Sequence, residues 1–208
     1  MDYGEILMKT LFIGDSVTDC DRLKFPPLGD GWVSKIFESK KIPGEIINVG
    51  VSGNRLVDLK NRWSQDVLSH HPNILSIAIG INDTWRRYDD NDPTDVRDFE
   101  SNYREVLEKS RQDSNPLFVL CEPFLLPANP EMKSWRSDLN PKISVIKELA
   151  ADFSAIFVPF DELLNSIVGK YSITEIAPDG IHPSELGHAE MARLWLSKVI
   201  PIIQQSVH

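Results

Sequence analysis

The chain has 208 residues, of which 41% are hydrophobic and 25% are charged, and its formal net charge at pH 7 is −9. This composition fits one compact domain with a sizeable core. No linker rich in glycine, serine or proline divides the chain, so we expect a single domain over residues 1–208. Because phosphate binding requires clustered lysine and arginine, the scattered basic residues argue against nucleic acid and anionic membranes as partners.

Targeting and metal-binding signals are absent from the sequence. No stretch approaches the roughly 20 apolar residues of a membrane span, and the N-terminus lacks the basic start and apolar segment of a secretion signal, so we expect a cytoplasmic protein. In a reducing compartment, Cys20 and Cys121 are expected to be free thiols rather than a disulfide. No cysteine and histidine cluster has zinc-ligand spacing, so we expect no metal site.

Five short apolar runs predict β-strands, and most are rich in β-branched residues. They occupy residues 11–13, 45–49, 74–79, 117–120 and 155–158. Runs that are apolar almost throughout are typical of parallel strands covered on both faces.

Amphipathic segments between these runs predict helices. Apolar residues recur at helical spacing in three of them: Phe99, Tyr103, Val106 and Leu107; Ile143, Ile146 and Ala150; and Met191, Leu194, Trp195, Val199 and Ile202. Strands alternating with helices indicate right-handed βαβ units, so we expect an α/β fold, a three-layer α/β/α sandwich. In such folds the ligand site lies at the carboxyl ends of the strands.

Unusual polar motifs follow the first three predicted strands. Ser16 follows the first strand in Gly-Asp-Ser-Val-Thr, Gly53 follows the second in Gly-Val-Ser-Gly-Asn, and Asn82 follows the third in Gly-Ile-Asn-Asp. Near the other end of the chain, Asp179 and His182 stand three residues apart in Asp-Gly-Ile-His-Pro. If the sheet is parallel, the three strand ends lie at one edge, and the Asp179–His182 loop can close over it.

These residue types predict an activated serine nucleophile and acyl transfer to water. Ser16 would be the nucleophile, His182 the general base, and Asp179 the group that fixes the imidazole tautomer. The backbone N–H groups of Ser16 and Gly53 and the amide of Asn82 would form the oxyanion hole.

Each motif taken alone has a simpler interpretation. Ser16 and Asn82 could be helix caps, Asp179 could begin a common turn, and Gly53 could belong to a plain loop before a helix. A surface or core role is favoured for His188, six residues after His182. Packing alone explains poorly why all of these motifs occur together, each at a strand end or beside the final helix.

These four blocks resemble the SGNH hydrolases, also called the GDSL esterase/lipase family, which is named for Ser, Gly, Asn and His. They correspond here to Ser16, Gly53, Asn82 and His182, in order and over nearly the whole chain, with Val17 at the variable position where the family name has Leu. The resemblance implies a flavodoxin-like sandwich with a five-stranded parallel sheet, an ester substrate, and no metal or organic cofactor. The Gly-x-Ser-x-Gly elbow of α/β-hydrolases is absent.

Residues 52–63 and 79–88 are more specifically similar to the branch that contains intracellular bacterial acetylxylan esterases. This similarity implies homo-oligomers and a substrate site beside Asn82. Trp85 would limit the acyl pocket or form a sugar platform, although a core or interface aromatic is an equal alternative. Arg86 would contact sugar hydroxyls, and Asp15, next to Ser16, is a further substrate-binding candidate.

Three hypotheses of function compete. The leading one is a serine esterase that removes acetyl groups from small carbohydrates such as xylo-oligosaccharides. The second is a lysophospholipase, lipase or acyl thioesterase with the same residues, because the chemistry acts on the carbonyl and not on the leaving group. The third is a non-catalytic sugar-binding or scaffold protein that has kept the fold.

Overall fold

The computed structural model describes residues 8–205 and contains a five-stranded sheet in which every strand pair is parallel. The strand order is β2-β1-β3-β4-β5, which is the flavodoxin-like order. The strands are β1 Lys9–Gly14, β2 Glu45–Asn48, β3 Ile74–Ala78, β4 Leu117–Cys121 and β5 Ile156–Val158. All five predicted strands are confirmed to within two residues at each end. Residues 1–5, on which the expected location depends, lie outside the described part.

Helices cover both faces of the sheet, so the predicted three-layer sandwich is confirmed. The helices are α1 Ser16–Asp19, α2 Trp32–Glu38, α3 Leu56–Asp66, α4 Ile81–Asp89, α5 Val96–Asp113, α6 Arg136–Asp152, α7 Phe160–Ser166, α8 Ile173–Ile176 and α9 Glu185–Gln205. One face of the sheet packs mainly on α2, α7 and α9, and the other on α3, α5 and α6. Within residues 8–205, no helix has the length and apolar character that a membrane span requires.

Alternate strand residues point to opposite faces and build two separate cores. Phe12 of β1 contacts Trp32 and Trp195 at ring-centroid distances of 5.2 Å and 5.1 Å on one face. Leu11 and Ile13 are fully buried on the other face. Burial of a large apolar side chain contributes roughly 1.5–3 kcal/mol, so these contacts hold the interior strand β1 firmly and fix the position of the turn that follows it.

Asn48, the last residue of β2, fastens the strand ends that carry the predicted site. Its buried amide Nδ2 donates to the carbonyl oxygens of Thr18, at 2.7 Å, and Leu28, at 2.8 Å. Its Oδ1 accepts from the N–H of Gly50 at 2.9 Å. One amide side chain therefore satisfies three backbone groups and joins the turn after β1 to the turn after β2.

Replacement of Asn48 by alanine should lower the free energy of unfolding by about 2–4 kcal/mol, because three buried backbone groups lose their partner. Urea denaturation of the two proteins measures the difference. Asn140→Ala, an exposed change on α6, is the control and should stay within about 0.5 kcal/mol of the parent. An equal, small effect of both substitutions would contradict the anchoring role of Asn48.

Candidate active site

Ser16, His182 and Asp179 form a continuous hydrogen-bonded chain. The Ser16 Oγ lies 2.9 Å from Nε2 of His182, and the other ring nitrogen, Nδ1, lies 2.6 Å from Oδ2 of Asp179. The hydroxyl and the imidazole are separated by 166 positions in the sequence. This geometry lets the imidazole accept the hydroxyl proton while the carboxylate holds the ring in the required tautomer.

Ser16 is the first residue of the short helix α1, directly after β1. Asp15 caps this helix by accepting a hydrogen bond from the N–H of Val17 at 3.0 Å, and its side chain is buried. Burial raises the pKa of Asp15 to about 7. The hydrogen bond from Val17 lowers this pKa, but its effect is smaller than that of burial. Asp15 therefore fixes the turn that presents Ser16 from beneath, instead of facing the open cleft.

The Asp179–His182 loop is fixed by its own backbone contacts. Oδ1 of Asp179 accepts from the N–H groups of Ile181, at 2.9 Å, and His182, at 2.7 Å. Partial burial opposes ionisation of Asp179, but the hydrogen bonds from the ring and backbone of His182 hold its pKa below the ordinary value. Gly180, at φ +84°, presses against the Leu126 carbonyl oxygen, where a Cβ atom would lie 2.1 Å away. Only glycine fits this turn.

The structure also brings the Gly53 and Asn82 motifs together. Nδ2 of the buried Asn82 donates to the Asn54 carbonyl oxygen at 3.1 Å, so the turn after β3 touches the turn after β2. Gly53 has φ +82° and open space at its missing Cβ position. Asp19 fastens the same turn to α1, because its Oδ2 accepts from the N–H of Ser52 at 3.1 Å and from its Oγ at 2.6 Å. The role of these groups as oxyanion donors stays a prediction.

A cleft of about 370 Å³ opens beside the hydroxyl–imidazole pair. It is lined by Ser16, Val17, Cys20, Asp21, Asp30, Ser52, His182, Pro183 and His188. Two of these residues, Asp21 and Asp30, bring exposed carboxylates to its wall. The cleft beside the Ser16 hydroxyl is therefore polar and acidic.

His188 and Cys20 line this cleft, a role that sequence analysis did not find. Nε2 of His188 lies 3.6 Å from Sγ of Cys20. Burial lowers the pKa of His188 to about 4, so this imidazole is neutral at pH 7. Burial and the neighbouring carboxylates of Asp30 and Asp19 raise the pKa of the Cys20 thiol, which therefore stays protonated. The pair forms an uncharged wall, and no spacing in the sequence signals it.

Trp85 and Arg86 both lie near the site but differ in their contacts. The Trp85 ring centroid is 6.2 Å from that of His182. The Arg86 guanidinium lies 5.7 Å from the Trp85 ring centroid and forms ion pairs with Asp89 and Asp90 of the same segment. The structure therefore places Trp85 beside the triad and engages Arg86 in local ion pairs. Substrate contact by either residue stays a prediction.

Buried polar contacts hold α4, the helix that carries Asn82 and Trp85. Lys142 of α6 is fully buried, and its Nζ lies 2.5 Å from Oδ2 of Asp138. Nε of Arg87 lies 2.8 Å from the other oxygen of Asp138. Sequence analysis missed this network, because an i,i+4 Asp and Lys pair looks like an ordinary exposed one.

A second buried carboxylate lies on α4 itself. Asp83 accepts from the N–H of Leu56 at 3.1 Å, and burial raises the pKa of Asp83 to about 6.

Comparison with known proteins gives a consistent family assignment. A model of the GDSL-like lipase/acylhydrolase family matches residues 12–190. The chain is 32% identical over 205 residues to an acetylxylan esterase from Geobacillus stearothermophilus, a match that covers 92% of this chain and 93% of that protein.

Solved structures agree with this assignment. The chain is similar to Axe2, an acetylxylan esterase from G. stearothermophilus, with a TM-score of 0.83 and 31% identity over 92% of this chain and 93% of that one. A GDSL-like lipase from Parabacteroides merdae has a TM-score of 0.84 and 29% identity, over 92% and 94%. Axe2 has also been solved as catalytic mutants in which a serine, an aspartate or a histidine is replaced by alanine.

Asp179→Asn should reduce kcat by roughly 10³–10⁴-fold while the protein stays folded, because an amide favours the wrong imidazole tautomer. Steady-state hydrolysis of p-nitrophenyl acetate measures the loss, and circular dichroism checks the fold. Asp113→Asn is the matched control, since Asp113 lies 2.9 Å from a different histidine, His71. Equal rates in the two variants would rule out a catalytic role for the Asp179 contact.

Asp15→Asn should stabilise the protein increasingly as pH rises. The folded-state pKa of Asp15 lies near 7 and its ordinary value is 3.8, so the parent loses stability between about pH 4 and pH 7. The variant lacks this loss, and its unfolding free energy relative to the parent should rise by on the order of 2–4 kcal/mol across that window.

Urea denaturation at pH 4.5, 6 and 7.5 tests this prediction. Asp95→Asn makes the same change at an exposed cap of α5, where the carboxylate accepts from the Arg97 N–H at 2.8 Å. A difference between Asp15→Asn and the parent that stays constant with pH, as in the control, would contradict the prediction.

Proposed function

This chain belongs to the GDSL-like lipase/acylhydrolase family and is a carboxylic ester hydrolase, and we propose that it removes acetyl groups from small carbohydrates such as xylo-oligosaccharides. The observation that carries the proposal is the 2.9 Å and 2.6 Å hydrogen-bonded chain from Ser16 through His182 to Asp179. Membership of an enzyme family sets aside the hypothesis of a non-catalytic protein.

In the proposed reaction, the Ser16 Oγ attacks the ester carbonyl carbon and His182 Nε2 takes its proton. The tetrahedral intermediate collapses, the bond to the alcohol oxygen breaks, and His182 returns the proton to that oxygen. Water then attacks the acetyl-enzyme while His182 Nε2 takes one of its protons. The bond to the Ser16 Oγ breaks, His182 returns the proton to that oxygen, and acetic acid leaves and ionises. Asp179 keeps its negative charge and stabilises the imidazolium that forms in each half-reaction.

The negative charge that develops on the carbonyl oxygen needs hydrogen-bond donors. The backbone N–H groups of Ser16 and Gly53 and the side-chain amide of Asn82 are the groups that we assign to this task. The contact from Asn82 to Asn54 uses one N–H of the amide and leaves the other for the oxyanion. Every step uses groups of the chain itself, so the proposal requires no metal or organic cofactor.

The charge of the cleft supports a sugar leaving group over a phosphate-bearing one. Asp21 and Asp30 line the cleft beside Ser16, and Asp19 lies close by. Two like charges 4 Å apart repel by about 1 kcal/mol in water and about 4 kcal/mol near a protein surface. Lysophospholipids and coenzyme A thioesters carry such charges, whereas acetylated xylose units are neutral and offer hydroxyl donors to carboxylates.

The named relatives support the same substrate class. Two are described as acetylxylan or acetyl-xylooligosaccharide esterases. The aspartate and histidine replaced in the catalytic mutants of Axe2 are three positions apart, as Asp179 and His182 are here. The cytoplasmic location, the single domain and the homo-oligomer that the sequence suggests stay predictions.

A panel of p-nitrophenyl acetate, butyrate and octanoate tests the reaction and the acyl size. We expect kcat/KM to be highest for acetate and lowest for octanoate, and Ser16→Ala to reduce acetate hydrolysis by at least about 10³-fold. Ser144→Ala, at an exposed position of α6 outside the lining of this cleft, is the matched hydroxyl deletion and should retain most of the activity.

Three outcomes would contradict the proposal. A preference for octanoate would indicate a lipid or thioester substrate. Equal, feeble rates in the parent and in Ser16→Ala would show that Ser16 is not the nucleophile. The protein could also hydrolyse p-nitrophenyl acetate well but fail to release acetate from acetylated xylo-oligosaccharides. That result would support the esterase reaction and rule out these sugars as the substrate.

A further inference from the structure

A second cavity, of about 210 Å³, adjoins the triad and shares no lining residue with the Ser16 cleft. It is lined by Trp85, Asn129, Glu131, Met132, Trp135, Asp179 and Ile181. It reaches the triad through Asp179 itself and through Trp85, whose ring centroid is 6.2 Å from that of His182. Its volume is below the roughly 300 Å³ of pockets for drug-sized ligands. A cavity of this size suits a single sugar ring.

The walls of this cavity are rigid and aromatic. Trp135 stacks on Tyr88 with ring centroids 5.0 Å apart and an angle of 11° between planes. The Tyr88 hydroxyl donates to the Ser134 carbonyl oxygen at 3.3 Å, which fixes this support. Trp85 lies 6.0 Å from Trp135, tilted by 39°. Two indole rings are therefore held in place before any ligand arrives.

Trp135 carries a buried hydrogen-bond donor that nothing satisfies within residues 8–205. The residue is 6% exposed, and its Nε1 has no partner there. The three other buried tryptophans all donate at 3.0 Å, Trp32 to the Val17 carbonyl oxygen, Trp63 to Ser110 and Trp195 to Ser76. An unpaired buried donor is costly, so the Trp135 ring is held at this cavity wall against that cost, while its Nε1 stays closed to a ligand's acceptor.

Two exposed polar side chains complete the cavity. Oδ1 of Asn129 accepts from the Met132 N–H at 3.0 Å, which turns its NH₂ group to other acceptors. Glu131 adds a carboxylate acceptor to the lining. Aromatic faces with a few polar groups at the edge match a pyranose ring, which has C–H groups on its faces and hydroxyls around its rim.

We propose that this cavity binds one neutral pyranose ring of the substrate, and that Trp135 is a specificity-determining residue whose indole ring packs against the sugar. The inference rests on the proposed function and adds a named subsite to it. An aliphatic acyl chain is the alternative occupant, but it would lie against the Glu131 carboxylate and the Asn129 amide. A sugar offers hydroxyls to both groups.

The test compares Trp135→Phe with the parent on acetylated xylotriose and on p-nitrophenyl acetate, which has no sugar. The smaller phenyl ring covers less of the sugar face, so KM for acetylated xylotriose should rise by about 3–10-fold, and the ratio of its kcat/KM to that of p-nitrophenyl acetate should fall by the same factor. Trp63→Phe is the matched control, because it makes the same change in the core opposite the site and should leave the ratio unchanged.

A second variant keeps the proposal testable if Trp135→Phe folds poorly. Glu131→Gln is an exposed, isosteric change, and it should also raise KM for acetylated xylotriose. Binding of xylotriose to Ser16→Ala, followed by calorimetry, should weaken by the same factor when Trp135→Phe is added.

Four outcomes overturn the proposal. A parallel fall of both kcat/KM values assigns Trp135 a structural role. An unchanged KM for the sugar in both variants removes the subsite and leaves the esterase function intact. A changed ratio of octanoate to acetate hydrolysis, with the sugar unaffected, assigns the cavity to the acyl chain. An active esterase that neither binds xylotriose nor deacetylates its acetylated form contradicts both the subsite and the sugar substrate.

Discussion

The parallel pairing of β1 with β2 and β3 is the constraint on which the site depends. Phe12 pairs with Asn48 on one side and Ser76 on the other, so the three strands end within two residues of one another. The turns after them therefore open at one edge of the sheet, where the Ser16, Gly53 and Asn82 motifs meet. An antiparallel partner would place one of these turns at the far edge, and no loop rearrangement would restore the site.

Strand register brings the turns to one edge of the sheet, and short polar contacts hold them in place there. Asn48 joins the first two turns, Asp19 holds Ser52, and Asn82 touches Asn54. The Asp179–His182 loop is held in turn by Leu126, whose N–H donates to the Gly180 carbonyl oxygen at 2.9 Å. These contacts pre-organise the site, which is how the fold places a hydroxyl and an imidazole 2.9 Å apart.

The sequence predicted those parts that depend on local pattern. Strand and helix positions followed from apolar periodicity, and the triad residues followed from polar motifs at strand ends. The buried pair of Lys142 and Asp138 was missed, because a lysine four residues after an aspartate is the usual pattern of an exposed helix face. His188 was interpreted as an ordinary histidine, because only the packing of α9 against the turn after β1 brings it to Cys20.

The sequence by itself determined the fold class, through the alternation of apolar runs and amphipathic segments, and the esterase chemistry. It predicted Ser16, Asp179 and His182 as the catalytic residues, because each stands in a short contiguous motif. The tertiary structure decided what surrounds them. It buried Asp15 beneath Ser16, engaged Arg86 in local ion pairs, and set Trp135 beside Trp85 with an unpaired donor. Such properties arise from contacts between residues that are distant along the chain, and burial, which sets the pKa values and the cost of unpaired groups, exists only after the chain has folded.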